Sequence, residues 1–292
     1  MIWYLTCGLR SCILVSMNRL SSERRAAVVR CLVEGNSIRS TVRMTGAAKN
    51  TVAKLLLEPG EACREYQDRV LRDLTCQRVQ CDEVWSFVAC KQKNIRQERR
   101  GEFGIGDVWT WTAMDADTKL MICWLVGERE ARDAYDFVCE LSSRLSNRVQ
   151  LTTDGHSVYL NAVERAFGSD IDYAMLVKVY GTTEESEKRY SPPVCLAANP
   201  TRISGRPNPR HISTSFVERQ NLTLRMGLRR FTRLTNAFSK KLENHACAVA
   251  LHFMYYNFAR IHQTLGTTPA VAAEVADHAW SVEEIVGLLG SN

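Results

Sequence analysis

Between Arg210 and Lys241 the chain has one acidic residue, Glu218, against eight Lys or Arg, a local net charge of +7 in a chain of 292 residues whose total is +6. A segment so short of counter-charge argues against a solvated face of mixed sign and points to a polyanionic partner. Metal-binding cysteine patterns are also lacking. Among eleven Cys, the pairs Cys7/Cys12 and Cys76/Cys81 each enclose four residues, and neither is followed by a second matching pair or a His pair that would complete a zinc site. An odd count without regular spacing suits reduced thiols in a cytoplasmic setting rather than a disulfide framework. Long apolar runs are missing too. The opening "MIWYLTCGLRSCILVS" has no basic region ahead of its apolar part, is interrupted by Arg10 and falls short of the roughly 20 residues a bilayer requires. Residues 1–16 are therefore expected to be an N-terminal extension, with folding information starting near Met17 and no membrane association. "ACAVALHFMYYNFA" reads as a buried helix, and no internal repeat or low-complexity tract is present.

What is there is an ordinary folded composition, 45% hydrophobic and 24% charged, which excludes disorder and coiled coil. Residues 20 to 57 read as three short helices. The first, "LSSERRAAVVRCLVEG", carries Ala27, Val28, Cys31 and Leu32 on one face and stops at Gly35. "NSIRSTVRMTG" and "AAKNTVAKLLLE" meet at Gly46, with Ile38 and Val42 before it and Val52 and Leu55 after it, a helix-turn-helix pattern. Its second helix is expected to present Lys49, Asn50, Thr51 and Lys54 to DNA phosphates and base edges. This gives a DNA-binding domain over 17–60 and a further helix, "LEPGEACREYQDRVLRDL", as a linker over 61–77.

From Arg78 the periodicity changes to that of strands. "RVQCDEVWSFVAC" alternates, a basic Gly-containing loop follows from Lys91 to Gly106, and "DVWTWTAM" and "KLMICWLVG" flank the turn "DADT" as a hairpin. Helix "ARDAYDFVCELSSRLS", strand "VQLTTDGH", helix "VYLNAVERAFG" and strand "IDYAMLVKVYG" come next. Three consecutive strands followed by strands alternating with helices describe an α/β fold with a mixed sheet. The Pro- and Gly-bearing stretch from about Thr182 to His211 breaks the pattern, and the remainder reads as helical.

Three carboxylates stand out. Asp82 lies within the first strand, Asp154 ends the fourth just before Gly155, where open α/β sheets place ligands, and Glu218 opens a later helix. Gaps of 72 and 64 residues mean that only the fold can bring them together. Each has a plain structural explanation: Ser215-Phe-Val-Glu218 matches a capping box, Asp154-Gly155 is a turn dipeptide, and Asp82 has many Arg side chains to pair with. Together they suit a site for two divalent cations, Mg²⁺ or Mn²⁺. Asp107, Asp115 and Asp117 are rivals, set aside because hairpin turns and strand starts face solvent. Asn221 and Arg225 follow Glu218 at one and two helical turns, placed to orient a DNA strand or a carboxylate. Arg229, Arg230 and Arg233 are expected on the DNA surface, whereas Phe216, Leu224, Leu228, Phe231 and Leu234 are assigned to packing. His156 either touches a phosphate or caps the turn after Asp154. Tyr255 and Tyr256 lie in an apolar helix and read as core.

The segments "QCDEVWSF", "GDVWTWTAMDADTKL", "LTTDGH", "STSFVERQNLTLRM", "FTRLTNAFSKKLENHACAVALHFMYYNF" and "RIHQTLGTTPA" together resemble a bacterial insertion-sequence transposase of the insertion-sequence-one type. The resemblance runs from about Asn18 to Leu289. It implies an RNase H-like domain over 78–265 with Asp82, Asp154 and Glu218 as a DDE triad, Mg²⁺ as cofactor, and the terminal inverted repeats of a mobile element plus target DNA as substrates. It also implies a nucleoid-associated cytoplasmic protein, multimers that synapse two ends, a structural role for His262, and a C-terminal helical tail over 266–292. One departure is the missing zinc-binding segment of better-known members, which leaves end recognition to the helix-turn-helix. A DNA-binding repressor derived from such an enzyme and a plain RNase H-like nuclease are the alternatives. The first would cut nothing; the second would not join a 3′-hydroxyl to target DNA.

Overall fold

The computed structural model describes residues 20–181, 194–232 and 236–290, so the expected extension over 1–16 lies outside the described residues. Three helices come first: α1 (Ser22–Val33), α2 (Ile38–Thr45) and α3 (Lys49–Val70). The Ser21 hydroxyl caps α1 by accepting from the Arg24 N–H, and Ser37 caps α2 by accepting from the Ser40 N–H. Gly46 ends α2 in the left-handed region, φ 68°, which a residue with a Cβ rarely adopts. That sharp stop lets Val52, Leu55 and Leu56 of α3 pack inward. On α1 the buried stripe is Ala26, Val28, Val29, Leu32 and Val33, rotated from the expected face because Ala27 and Cys31 are only half-buried.

The helix expected as "AAKNTVAKLLLE" and the linker helix expected from Leu57 are one. Helix α3 runs 22 residues through Pro59 and Gly60 and crosses the expected boundary at residue 60 without a break. Proline ordinarily ends a helix by removing an N–H and crowding the preceding turn. Here Pro59 and Gly60 are buried against helix α7 (Leu242–Met254), and a Cβ at Gly60 would lie 2.6 Å from both the Cβ and the carbonyl oxygen of Cys247. Tertiary packing has overridden the local breaker signal.

The sheet has six strands: β1 (Arg78–Val88), β2 (Gly106–Asp115), β3 (Met121–Gly127), β4 (Gln150–Asp154), β5 (Asp172–Tyr180) and β6 (Cys195–Ser204), in the order β3-β2-β1-β4-β5-β6. Strands β1 to β3 form an antiparallel meander, β4 lies parallel to β1, β5 parallel to β4, and β6 antiparallel to β5. This is the mixed sheet of an α/β fold, with β6 as an antiparallel edge strand. Helices α4 (Ala131–Arg144) and α5 (Val158–Phe167) cover the face where Trp111 meets Phe137 and Tyr159. Helix α6 (Ser215–Gly227) and α7 cover the other: Gln80 accepts from the Phe216 and Val217 N–H groups, and Trp124 packs on Phe253.

Strand β6 corrects part of the expectation of an irregular stretch from Thr182 to His211, of which 182–193 lie outside the described residues. Almost all of it is exposed, and Pro200 sits in its middle opposite Leu176. An edge strand needs no buried face, so it shows neither the alternation nor the composition by which strands are read, and its free side tolerates a proline. Beyond α7 the chain widens into a π-helical turn, Tyr255–Ala259, followed by α8 (Pro269–Ala272) and α9 (Val282–Gly287). The last of these folds back on α1, where Arg30 pairs with Glu283 at 2.8 Å, while Trp280 packs on Tyr66 and Phe258. Tyr256 is buried, as expected, and its hydroxyl donates to the Lys119 carbonyl. One hydrophobic core runs from Ala26 to Val286, and among the described residues no helix is long and apolar enough to cross a membrane.

Gly60→Ala tests the packing of α3. In an open helix the change gains about 1 kcal/mol of propensity, but here the obstructing atoms are a Cβ and a backbone carbonyl, neither of which can swing aside. Overpacking of about 1–3 kcal/mol should win, and the thermal midpoint of the variant is expected to fall below that of the wild type.

A candidate active-site cleft at the carboxyl edge of the sheet

Strands β1 and β4 pair as Arg78↔Gln150, Val79↔Leu151 and Gln80↔Thr152, and the same offset carried forward sets Asp82 level with Asp154. In parallel neighbours, residues at one level share a face, so the register alone makes these carboxylates neighbours. Helix α6 crosses the same face. Asn221 donates through Nδ2 to Asp82 Oδ2 at 2.7 Å, and its Oδ1 accepts from the Thr112 hydroxyl at 3.3 Å, which also donates to the Asp82 carbonyl. Asn221 thus orients the first carboxylate. A cleft of about 600 Å³ results, lined by Asp82, Asp154, Glu218, Asn221 and Arg225 together with Arg129 and Lys178.

Glu218 enters the cleft from the first turn of α6, but not as a capping box. The helix is capped at Thr214 without a side-chain bond, and the Glu218 carboxylate accepts from the Thr214 hydroxyl and the Lys178 ammonium. The tightest group of carboxylates is instead Asp82, Glu83 and Asp154, with one oxygen from each within 4.8 Å of the others. Sequence reasoning missed Glu83, Arg129 and Lys178. Strand alternation sends Glu83 to the face opposite Asp82, where its side chain is 1% exposed and Oε2 meets Arg129 at 3.3 Å. Arg129, from the β3–α4 loop, lies 4.0 Å from Asp154 and stacks 4.6 Å above the Trp109 ring. The adjacency of Glu83 to Asp82 was the one signal available; nothing in the sequence marks Arg129 or Lys178.

Burial, with crowding, raises the proton affinity of Asp82 and Glu83. Burial, then the charges of Asp154 and Glu218, push Asp82 up to about 6 against the pull of the Glu83 N–H and of Asn221. Burial, then Asp154 and Asp82, push Glu83 up to about 7, with Arg129 opposing. Burial, helped by Arg129, holds His156 below the usual imidazole range. The His156 ring lies 6.3 Å from that of Trp111, nearly parallel to it, and its backbone N–H donates to Asp154 Oδ1 at 2.9 Å, so it closes the turn. The donor set fits a divalent cation. All its atoms are carboxylate oxygens, suited to Mg²⁺ or Mn²⁺.

The other expected site residues divide. Lys49, Asn50 and Lys54 are exposed on α3, Thr51 is half-buried, and Lys54 pairs with Glu58 at 3.4 Å. Arg229 is exposed, whereas Arg230 turns inward and donates to the Ser239 hydroxyl at 2.6 Å, its burial lowering its pKa to about 10. Arg233 and Leu234 lie outside the described residues. Leu224, Leu228 and Phe231 are buried as assigned, but Phe216 is 39% exposed beneath the Lys119 ammonium. Asp115 is buried rather than solvent-facing, because it accepts from the Thr118 hydroxyl and N–H inside the hairpin turn.

No protein-family model and no curated protein matches the chain. Among solved structures it is similar to a piggyBac transposase synaptic complex with hairpin DNA, at 11% identity and TM-score 0.35 over 95% of this chain and 74% of that one. It is also similar to the Mos1 strand transfer complex, at 12% identity and TM-score 0.22 over 78% of each chain. Both likenesses are distant, and the chemistry of the cleft follows from its own side chains.

A raised carboxyl pKa means that the folded chain keeps a proton the unfolded chain has released. Ionised Asp82 and Glu83 therefore reduce stability as pH rises from about 4 through 6 to 7. The buried His245 and His252, each held near 3 by burial, act in the opposite direction over the same range. The difference between proteins isolates the site. In metal-free buffer, Asp82→Asn should gain stability relative to wild type between pH 4 and pH 7, by on the order of 3 kcal/mol. Chemical denaturation at each pH measures this, and a pH-independent difference would contradict it.

Proposed function

We propose that this chain is a DNA transposase that binds the ends of a mobile element and catalyses metal-dependent strand cleavage and strand transfer, with Asp82, Asp154 and Glu218 as its catalytic carboxylates. The observation that carries this reading is the meeting in one cleft of three acids separated by 72 and 64 residues in sequence, ringed by Arg129, Lys178 and Arg225. An acidic centre inside a basic rim suits a phosphodiester substrate: the rim attracts the strand, and the carboxylates hold the cations that act on it. Asp82 and Asp154 would hold a divalent ion, with Glu83 and Glu218 able to complete one or two sites. Bound there, Mg²⁺ or Mn²⁺ supplies Lewis-acid charge for phosphodiester hydrolysis and transesterification.

The chain's own residues do the positioning. Asn221 fixes the Asp82 carboxylate. Lys178 neutralises Glu218, and Arg129 neutralises Glu83 next to Asp154, so the four acids coexist before any ion or strand arrives. Arg225 lies one turn past Asn221 and faces the same cleft. Helices α2 and α3 serve as the end-binding helix-turn-helix, with Lys49, Asn50, Thr51 and Lys54 against DNA and Arg229 extending the surface. The partner is double-stranded DNA, and synapsis of two ends calls for a homo-oligomer.

The test uses labelled DNA from the sequences that flank this chain's own reading frame, with Mg²⁺, and compares wild type with Asp82→Asn, Asp154→Asn and Glu218→Gln. All four proteins are expected to bind, and nicking or joining should drop on the order of 10²–10³-fold or more in each variant. Binding without metal-dependent cleavage by any protein would favour the repressor; cleavage without joining would favour a nuclease. Replacing Lys49 and Lys54 together by Ala should flatten the dependence of log affinity on log salt by about 2, the counterion release of two phosphate contacts.

A further inference from the structure

The most exposed large apolar side chain among the described residues is neither in the cleft nor on the helix-turn-helix. It is Phe103, 88% exposed at the tip of the loop between β1 and β2. Leaving an aromatic ring in water forgoes the burial that normally justifies one, so the surroundings of Phe103 bear on what covers it.

The loop is built to hold its shape. At its base Gln92 and Asp107 exchange bonds, the Gln92 N–H donating to Asp107 Oδ1 at 3.0 Å and the Asp107 N–H to Gln92 Oε1 at 3.3 Å. Near the tip Arg99 forks onto both oxygens of Glu102 at 2.6 and 2.8 Å, immediately before the phenyl group. Gly101 and Gly104 bracket the tip at φ +84° and +79°, a conformation that other residues resist. One flank rests on the start of α7, where a Cβ at Gly104 would lie 3.2 Å from that of Leu242. Around this frame Lys93, Arg96 and Arg100 are exposed and make no ion pair among the described residues. The neighbouring Lys240 and Lys241 are exposed as well.

We propose that this loop is a nucleic-acid-binding arm in which Phe103 stacks on an unpaired base while Lys93, Arg96 and Arg100 contact the phosphates on either side. A fixed aromatic face beside uncompensated cations is the combination that single strands use, because every base offers a π-face and every linkage a charge. An acidic protein surface would match the cations but give the ring nothing to stack on. Strand β1 continues six residues past Asp82 before the loop begins, about 20 Å at roughly 3.3 Å per residue. The arm therefore grips a strand well beyond the carboxylates. The inference goes beyond the cleavage reading: it needs a nucleic acid but no catalysis.

The experiment uses the full chain in EDTA, so a failure of cleft chemistry leaves it untouched. Fluorescence anisotropy with a labelled single-stranded oligonucleotide and a duplex of equal length compares wild type, Phe103→Ala, Phe103→Leu, Phe103→Trp and the double variant Arg96→Ala with Arg100→Ala. Phe103→Ala and Phe103→Leu should each weaken single-strand binding about tenfold with an unchanged salt slope. Phe103→Trp should restore it, and the duplex should be affected less. The double arginine variant should flatten the single-strand salt slope by about 1.4. With 2-aminopurine in the oligonucleotide, quenching on binding should be lost in Phe103→Ala and kept in Phe103→Trp. Wild-type affinity in Phe103→Ala, or equal loss for duplex and single strand, overturns the proposal. So does full function in Phe103→Leu, which would make the contact merely apolar.

Discussion

The parallel pairing of β1 with β4 places Asp82 beside Asp154, and everything around the cleft answers to that juxtaposition. Two carboxylates at one level of one face repel, and burial makes the repulsion stronger than it would be in water. Glu83 and Glu218 add to the charge. The fold meets it with Arg129, held between Glu83, Asp154 and the Trp109 ring, and with Lys178 on Glu218. Asn221 and Thr112 then fix the orientation that repulsion would otherwise disturb. A site that carries its own counter-cations can fold before any metal ion is present, although two of its acids remain reluctant to ionise.

The sequence made the ladder of elements legible where burial imposes a period. The alternation in β1, β2 and β3, the apolar runs of β4 and β5, and the 3.6-residue stripes of α4 and α5 all come from one face meeting a core. Where no face is buried, or where packing overrides a local signal, the reading failed. Strand β6 is exposed along its length and went unseen. Pro59 and Gly60 disfavour a helix interior by local propensity, yet α3 runs through them with Gly60 packed against Cys247.

The site followed the same rule. Asp82, Asp154 and Glu218 could be picked out as acids within a strand, at a strand end and at a helix start, and all three line one cleft. Glu83 could not, because alternation assigns it to the other face, and its role depends on a side chain long enough to bring its oxygen to the cluster. Arg129 and Lys178 became visible only as partners of acids, since a lone basic residue in a loop or an edge-proximal strand looks like any solvated cation. Arg230 illustrates the converse: four arginines within nine residues suggest one surface, yet this one faces Ser239 in a buried chain that continues through His245 to Ser86.

Helix α3 has a mechanical corollary. Its first turn carries Lys49 and Asn50 in solvent, while its second half is fastened to α7, and the 22 residues between Lys49 and Val70 form a rod about 33 Å long. No hinge separates the two ends, so the azimuth at which the amino-terminal head meets a ligand is set by residue count along that rod. Adding or deleting a single residue between Thr51 and Pro59 would turn the head by about 100° around the axis and tear α1 from its packing on α9.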